Sequence, residues 1–174
     1  VLDVVLMGLT NQVRLLGTPD QSHIDEAYAA MENLGIAHLR NAGYGEISGG
    51  ERQLTLIARA LVQKATILIM DEPTANLDYG NQFRVTCRIS DLARDGYIII
   101  LSTHNPDHAF LYANRTLMIY GGRVIAEGTP EDVLDAGLIK DVYGVDVHIE
   151  DYQYGSRCHK LCIPIDGGIG KHEW

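Results

Sequence analysis

Two adjacent carboxylates, Asp71 and Glu72, follow directly after the apolar run Ile67–Met70. Ligands of open α/β sheets bind at the carboxyl ends of the strands, so a buried strand here would deliver both acids to a binding edge. Neighbouring strand residues point to opposite sides, which would give the two acids different tasks. Asp71 could hold Mg²⁺, usually through water, and Glu72 could polarise a water for in-line attack on phosphorus. A solvated strand end before the turn at Pro73 explains the same residues without any chemistry.

A second candidate is the segment Ser48-Gly49-Gly50-Glu51. Ser48 and Glu51 have the spacing of a capping box, which starts a helix. The two glycines leave the N–H groups of the first turn unshielded, and the helix dipole adds roughly half a positive charge there. This arrangement suits a phosphate group, although an ordinary helix start after a flexible loop has the same sequence.

Two further side chains stand at chemically useful positions. His104 follows an apolar run at 97–101 and the hydroxyl residues Ser102 and Thr103, so it could reach the same phosphate site from a neighbouring strand end. Asp78 lies seven residues beyond Asp71, where its ordinary role is to cap a helix. A single histidine is also common in loops without any function.

The elements that would position these residues follow from periodicity and turn residues. Residues 67–70 and 97–101 are continuous apolar runs separated by a helical pattern over 79–94, which predicts a parallel sheet with strands buried on both faces by helices. A helix is also expected over 49–63. Before it, residues 1–47 contain a short apolar helix and a second helix that starts at a Ser22–Asp25 capping box and ends at Gly35.

The C-terminal part is expected to contain β-structure. Residues 116–120 and 123–126 flank Gly121-Gly122, which predicts a hairpin with a two-residue turn. Thr129 and Pro130 should open a short helix, and 145–149 and 160–165 should be terminal strands.

The order of these motifs resembles the ATP-binding cassette (ABC) family, over residues 1 to about 150. In that resemblance, residues 48–53 are similar to the signature motif, residues 67–72 to the Walker B strand, residues 75–78 to the D-loop and His104 to the switch histidine. The resemblance implies an α/β fold, a truncated P-loop NTPase-like core with an N-terminal helical subdomain. It places a permease-facing helical subdomain at 1–47, the C-terminal part of the ATPase core at 48–150 and an extension at 151–174.

The resemblance also implies a mechanism. Two cassettes pair head to tail, and each ATP lies between the phosphate loop of one subunit and the signature helix of the other. Asp71 would serve Mg²⁺, and Glu72 and His104 would be catalytic, orienting water and contacting the γ-phosphate. The residues implied to bind nucleotide across the dimer are Ser48, Gly49, Gly50, Glu51, Gln53 and Asp78, the last at the dimer seam. The implied partners are a second ABC ATPase subunit and transmembrane permease subunits, and the implied cofactors are ATP and Mg²⁺.

One part of the family pattern is absent from the 174 residues, namely a Gly-x-x-x-x-Gly-Lys-[Ser/Thr] phosphate loop. Residues 166–172 end in Gly-Lys but lack the hydroxyl residue, and we reject them as a substitute. Because Val1 stands where the family's Q-loop region leaves off, we expect a truncated cassette. We therefore predict that the chain alone neither binds ATP tightly nor hydrolyses it, and that unpaired sheet edges cause self-association. The alternative is a non-catalytic module that donates its signature helix in trans or docks on a permease.

Composition narrows the class further. With 23 acidic and 14 basic residues the formal net charge is −9, which argues against direct binding of nucleic acid. The helical unit is also too short for the long coiled coils of chromosome-maintenance ATPases, which share the Ser-Gly-Gly-Glu segment. No apolar run reaches the ~20 residues of a membrane span, so membrane association is expected through a permease, on the inner face of the cell membrane.

Less specific sequence features bear on the transported cargo and on the cysteines. Residues 1–8, 79–82 and 142–145 resemble importers of iron–siderophore, haem, cobalamin or other metal chelates. Three cysteines, an odd number, suggest a reducing cytoplasm. Cys158, His159 and Cys162 with nearby His148 lack a second ligand pair at zinc spacing, and we interpret the thiols, like Cys87, as packed side chains.

Overall fold

The structure is a computed structural model that describes residues 1–10, 18–154 and 157–165. The chain divides into two compact units, Val1–Ser102 and Thr103–Trp174, which are considered separately. This division after Ser102 separates two compact parts of the chain and does not test the expected domain boundaries. The boundaries expected at 47/48 and 150/151 therefore remain predictions. Within the described residues, no helix combines the length and apolarity that crossing a bilayer requires.

The described residues of the first unit form four α-helices and two strands. Helix α1 spans Leu2–Leu6 and continues into a 3₁₀ turn at Met7–Leu9, and α2 spans Gln21–Asn33. A 3₁₀ turn at Ala37–Leu39 precedes α3, Gly49–Leu61. Strand β1, Ile67–Met70, is followed by α4, Tyr79–Arg94, and β2, Ile98–Leu101. The predicted strand–helix–strand order is therefore confirmed.

Helix α2 begins two residues earlier than a Ser22 cap requires, so the predicted Ser22–Asp25 capping box is wrong. Asp20 is the N-cap and accepts the His23 N–H at 3.1 Å, while the Ser22 hydroxyl donates to the same carboxylate at 2.8 Å. These hydrogen bonds lower the pKa of Asp20 to about 2. Asp caps a helix as well as Ser does, and here Ser22 serves the cap. The expected stop is confirmed, since Gly35 has φ of 74° just beyond the helix.

The core of the first unit joins the helices to one face of the sheet. Its buried residues come from every helix and from β1: Val5, Leu9, Ala27, Met31, Leu54, Ile57, Ala58, Leu68, Val85, Ile89 and Leu92. Helices α1, α2 and α4 all contact α3. Helix α3 is thus the central element of this core.

Strands β1 and β2 pair in parallel, with Ile67 opposite Ile98 and Met70 opposite Leu101. The expectation that both strand faces are buried is wrong for this pair. Leu68 is buried, whereas Ile69 is 78% exposed. The alternation arises because helices of the first unit pack on one face only, and the other face presents Ile67, Ile69, Ile98 and Ile100. We call these four isoleucines the open face.

In the second unit, residues 103–154 and 157–165 form three short helices and two hairpins. The helices are α5, Pro106–Tyr112; α6, Pro130–Val133; and α7, Ala136–Tyr143. Strands β3, Thr116–Tyr120, and β4, Arg123–Gly128, form the predicted hairpin. Gly121 and Gly122 have φ of 57° and 74° in its turn, the left-handed values that a type I′ turn demands.

The terminal strands are longer than expected. Strands β5, Val147–Tyr154, and β6, Arg157–Pro164, form one antiparallel hairpin. Half-buried Cys162 packs against the small core of this unit, as predicted, and burial raises the pKa of its thiol. Within the described part of the chain, no group of three or more His, Cys, Asp or Glu could hold a metal. The Cys158 side chain and residues 166–172 lie outside the described residues.

Two features of this sheet predict self-association. In the described part of the chain, β1 and β2 each pair with one strand only, which leaves an unpaired edge on each. The open face also exposes four isoleucines. The purified chain should sediment as a dimer or larger species at high concentration. Ile69→Lys should shift it towards monomer, because a charge replaces the most exposed isoleucine of this face. Leu111→Lys, at a 39% exposed position of the helix α5 and away from any strand, is the control. A strictly monomeric wild-type chain at high concentration contradicts the prediction.

The cap of α3 gives a second prediction. Ser48→Ala should lower the free energy of unfolding by about 1 kcal/mol at pH 7, because the Glu51 N–H loses its side-chain acceptor. Ser90→Ala, in the middle of α4, is the control and should be neutral or slightly stabilising. Urea unfolding of the three proteins measures the difference, and equal effects of both substitutions would be inconsistent with a cap.

The same cap predicts a pH dependence. Hydrogen bonds from the Ser48 hydroxyl and N–H lower the pKa of Glu51 below its ordinary value of 4.5. The Glu51 carboxylate therefore contributes stability above about pH 4.5, and this contribution is lost as the pH falls through the folded-state pKa. Glu51→Gln should be more destabilising at pH 7 than at pH 3. An equal difference at both values would show that the carboxylate has no such role.

Candidate functional site

The two carboxylates lie in a turn rather than on a strand. Strand β1 ends at Met70, so Asp71 and Glu72 come after it and the strand alternation expected for them does not apply. Glu72 has φ of 41°, a left-handed conformation that is uncommon outside glycine. Its carbonyl accepts the Ala75 N–H at 3.0 Å, which closes the turn. The turn geometry, not the strand pleat, sets the directions of the two acids.

The Ser102 hydroxyl ties both acids to the end of the neighbouring strand. It donates to Asp71 Oδ1 and accepts the Glu72 N–H at 2.9 Å. The Ser102 N–H in turn donates to the Met70 carbonyl at 3.0 Å. Sequence reasoning gave Ser102 no role. The available signal was a hydroxyl residue directly after the second strand of a parallel pair.

The acid pair suits a divalent cation that brings further oxygen ligands with it. Asp71 and Ser102 offer oxygen atoms, which are the donors that Mg²⁺ prefers, and both side chains are exposed. The described residues hold no cluster that could enclose an ion by themselves. Mg²⁺ commonly binds through one or two carboxylates together with phosphates and water, and the residues present fit that mode.

The start of α3 has the predicted capping box. Ser48 Oγ accepts the Glu51 N–H at 3.3 Å, and Glu51 Oε2 accepts the Ser48 N–H at 2.8 Å. The first four N–H groups of a helix have no acceptor within the helix. Ser48 accepts the Glu51 N–H, one of these four. The Gly49 and Gly50 N–H groups, also in the first turn, have no intrahelical partner. Gly50 is buried, so its contribution to an anion site would come from the backbone N–H alone.

The two glycines pack against the segment that starts α4. A Cβ on Gly49 would lie 2.9 Å from Leu77 Cδ2, and one on Gly50 would lie 2.7 Å from Asn81 Oδ1. Asp78 is the N-cap of α4 and accepts the Asn81 N–H at 2.8 Å, which confirms its helix-cap interpretation. That bond, with a second from the Asn81 amide, lowers the pKa of Asp78. The starts of α3 and α4 are therefore in contact, which the sequence did not reveal.

Gln53 lies in a groove that Asp71 also lines. It is half-buried on α3 and lines a groove of about 320 Å³ between α3 and β1, together with Ile67 and Asp71. Helix α3 thus contributes to two places. Its first turn contacts the start of α4, and Gln53 lines the groove beside Asp71.

His104 belongs to the second unit and is exposed. It lies just before α5, whose N-cap Asn105 accepts the Asp107 N–H at 2.9 Å. Burial lowers the pKa of His108, an effect that His104 strengthens and Asp107 opposes. The phosphate contact of His104 remains a prediction.

Comparisons with known proteins agree with this geometry. The family model described as "ABC transporter" matches residues 5–75. A hemin import ATP-binding protein of Nocardia farcinica is 38% identical over 164 residues, which cover 94% of this chain and 55% of the relative. A molybdate import ATP-binding protein of Haemophilus influenzae is 36% identical over 166 residues, covering 95% of this chain and 65% of the relative.

A solved structure described as an inward-facing metal-chelate type ABC transporter superimposes with a TM-score of 0.87 at 28% identity. The alignment covers 94% of this chain and 66% of that one. The chain thus spans about half to two thirds of the length of the proteins it matches. Motif order, fold and these similarities lead to one conclusion: the chain belongs to the ABC transporter family.

Proposed function

We propose that this chain is part of the ATP-hydrolysing subunit of an ABC importer, coupling ATP binding and hydrolysis to the uptake of a metal chelate such as iron–siderophore. The observation that carries the proposal is the Ser102 hydroxyl, which holds the carboxylate of Asp71 and the backbone of Glu72 together. The Asp71 carboxylate is thereby held, next to Glu72, at the strand ends where ligands of such sheets bind.

The roles proposed for the residues follow from their positions. Asp71 would hold Mg²⁺, which neutralises phosphate charge when bound. Glu72 would accept a hydrogen bond from the attacking water and orient it. The N–H groups of Gly49 and Gly50, with Ser48 and Glu51 nearby, would face the γ-phosphate of an ATP held by a second subunit, and Gln53 would bind nucleotide from the groove that Asp71 lines. His104 would contact that phosphate, and Asp78 would lie at the subunit seam.

The partners and the location are proposed on the same basis. A second ABC ATPase subunit would supply the phosphate loop, and transmembrane permease subunits would receive residues 1–47. The protein would lie at the inner face of the cell membrane through that permease. The hemin import and molybdate import relatives and the metal-chelate type neighbour support a metal-containing cargo, whereas two phosphonate import relatives, each 34% identical, do not.

A second candidate function is a non-catalytic module that lends its signature helix to a complete cassette or docks on a permease. The observation that favours it is the start of α3, where the Gly49 and Gly50 N–H groups have no intrahelical partner and could serve a phosphate that another chain binds.

The 174-residue chain by itself should release no phosphate from ATP above background in the presence of Mg²⁺. Phosphate release is measured over a range of chain concentrations, because the site is expected to need a phosphate loop from elsewhere. Turnover that scales with chain concentration and disappears in Glu72→Gln would overturn this prediction.

The two candidate functions separate in a fused protein, in which a phosphate-loop-bearing N-terminal part of an ABC relative precedes Val1. We expect Mg²⁺-dependent ATP hydrolysis that Glu72→Gln lowers by roughly 10²–10⁴-fold, the usual contribution of a general base. Glu131→Gln, an exposed acid in the first turn of α6, is the matched control and should leave the rate unchanged. If Glu72→Gln also leaves it unchanged, the interaction module becomes the better account.

A further inference from the structure

We propose that Asn81 is a positioning residue that locks the first turn of α3 against the first turn of α4. Its side chain lies where the two helix starts meet, and it is held by two directed hydrogen bonds. Asn81 Nδ2 donates to Asp78 Oδ2 at 2.7 Å, and Asn81 Oδ1 accepts from Arg84 Nη1 at 3.2 Å. With its donor and its acceptor both engaged, the amide cannot turn away without losing a hydrogen bond.

The fixed amide accounts for the glycine at position 50. Gly50 is helical and does not have a positive φ, so its backbone conformation does not require glycine. What requires it is space, because an added Cβ would lie 2.7 Å from Oδ1, 2.9 Å from Cγ and 3.0 Å from Cβ of Asn81. Gly80 offers a contrast, since the nearest atom to its added Cβ is Asp78 Oδ1 at an ordinary 3.5 Å.

Charge supports the same contact. Arg84 carries the guanidinium that binds the Asn81 amide, and its positive charge helps to lower the pKa of both Glu51 and Asp78. Arg84 is therefore close to the cap of α3 and to the cap of α4. Asn81 is the neutral group that binds both Asp78 and Arg84 and lies against Gly50.

The consequence for the reaction rests on the proposed function. If the Gly49 and Gly50 N–H groups face a phosphate and Asp78 lies at the subunit seam, Asn81 makes the two groups move as one body. A displacement of the D-loop would then shift the anion-binding N–H groups. The steric contact itself does not depend on any nucleotide.

A double-mutant cycle on the 174-residue chain tests this contact. The readout is whether Gly50→Ala raises or lowers the urea midpoint of unfolding. Alanine is a better helix former than glycine, so without a clash Gly50→Ala should raise the urea midpoint. We expect it to lower the midpoint in the wild-type background and to raise it in the Asn81→Gly background, where all three clashing atoms are gone. Asn81→Ala, which keeps Cβ, should give an intermediate effect if Asn81→Gly does not fold. Gly80→Ala is the control and should not lower the midpoint.

A spectroscopic readout separates positioning from stability alone. In amide NMR spectra of the folded chain, Asn81→Ala should shift the Gly49 and Gly50 cross-peaks, while those of Gly45 and Gly96, whose added Cβ would meet nothing within 4 Å, stay in place. Additive midpoint shifts, or unmoved Gly49 and Gly50 peaks, would overturn the proposal. Neither measurement uses ATP, so an inactive fused protein would count against the proposed function and not against this lock.

Discussion

The candidate site depends on the in-register parallel pairing of β1 with β2. Met70 lies opposite Leu101, so both strands end level and Ser102 stands beside Asp71. A shift of one residue would place Leu101 or Thr103 there and would turn every side chain of the strand to the opposite face. The pairing is held by apolar packing on one face only, through Leu68 and the helices behind it. The buried face of the sheet thus sets the register, and the candidate site lies at the carboxyl ends of the two strands.

The second half of the site depends on how α3 is packed. Helices α1, α2 and α4 all contact it, and its first turn packs against Leu77, just before α4, and against Asn81 of α4. That turn presents N–H groups without intrahelical partners, and its two glycines leave no room for a Cβ. The Gly-Gly pair that would suit a phosphate thus also permits close helix packing. These two requirements do not compete, since one concerns N–H groups and the other concerns the absent side chains.

Sequence patterns predicted the features that depend on neighbours in the chain. The Ser48–Glu51 capping box, the α4 helix and the turn at Gly121-Gly122 all rest on contacts within a few residues, and all were confirmed. The α2 cap was misplaced because Asp20 and Ser22 are both good caps, and only geometry shows which accepts the N–H and which assists. Burial of β1 was overestimated because an apolar run does not show how many faces are covered.

The roles of Ser102 and Asn81 could not be predicted, because each depends on a contact across about thirty residues of chain. Ser102 acts on Asp71 and Glu72 through strand register, and Asn81 meets Gly50 through helix packing. Motif order identified the acids and the glycines but not the residues that hold them. The family resemblance therefore identified the candidate site residues, and the structure identified Ser102 and Asn81, which contact them.

The most direct test of the account is the turnover of the fused protein when Ser102 is changed to alanine or to threonine. Loss of the hydroxyl that holds the Asp71 side chain and the Glu72 backbone should lower kcat roughly tenfold, which corresponds to about 1.4 kcal/mol, close to the lower end of the contribution of a hydrogen bond to a charged group. Threonine keeps the hydroxyl and should restore most of the rate, with the KM for ATP changed little in either variant. A Ser102→Ala protein that hydrolyses ATP at the unmodified rate would contradict the claim that this hydroxyl organises the site.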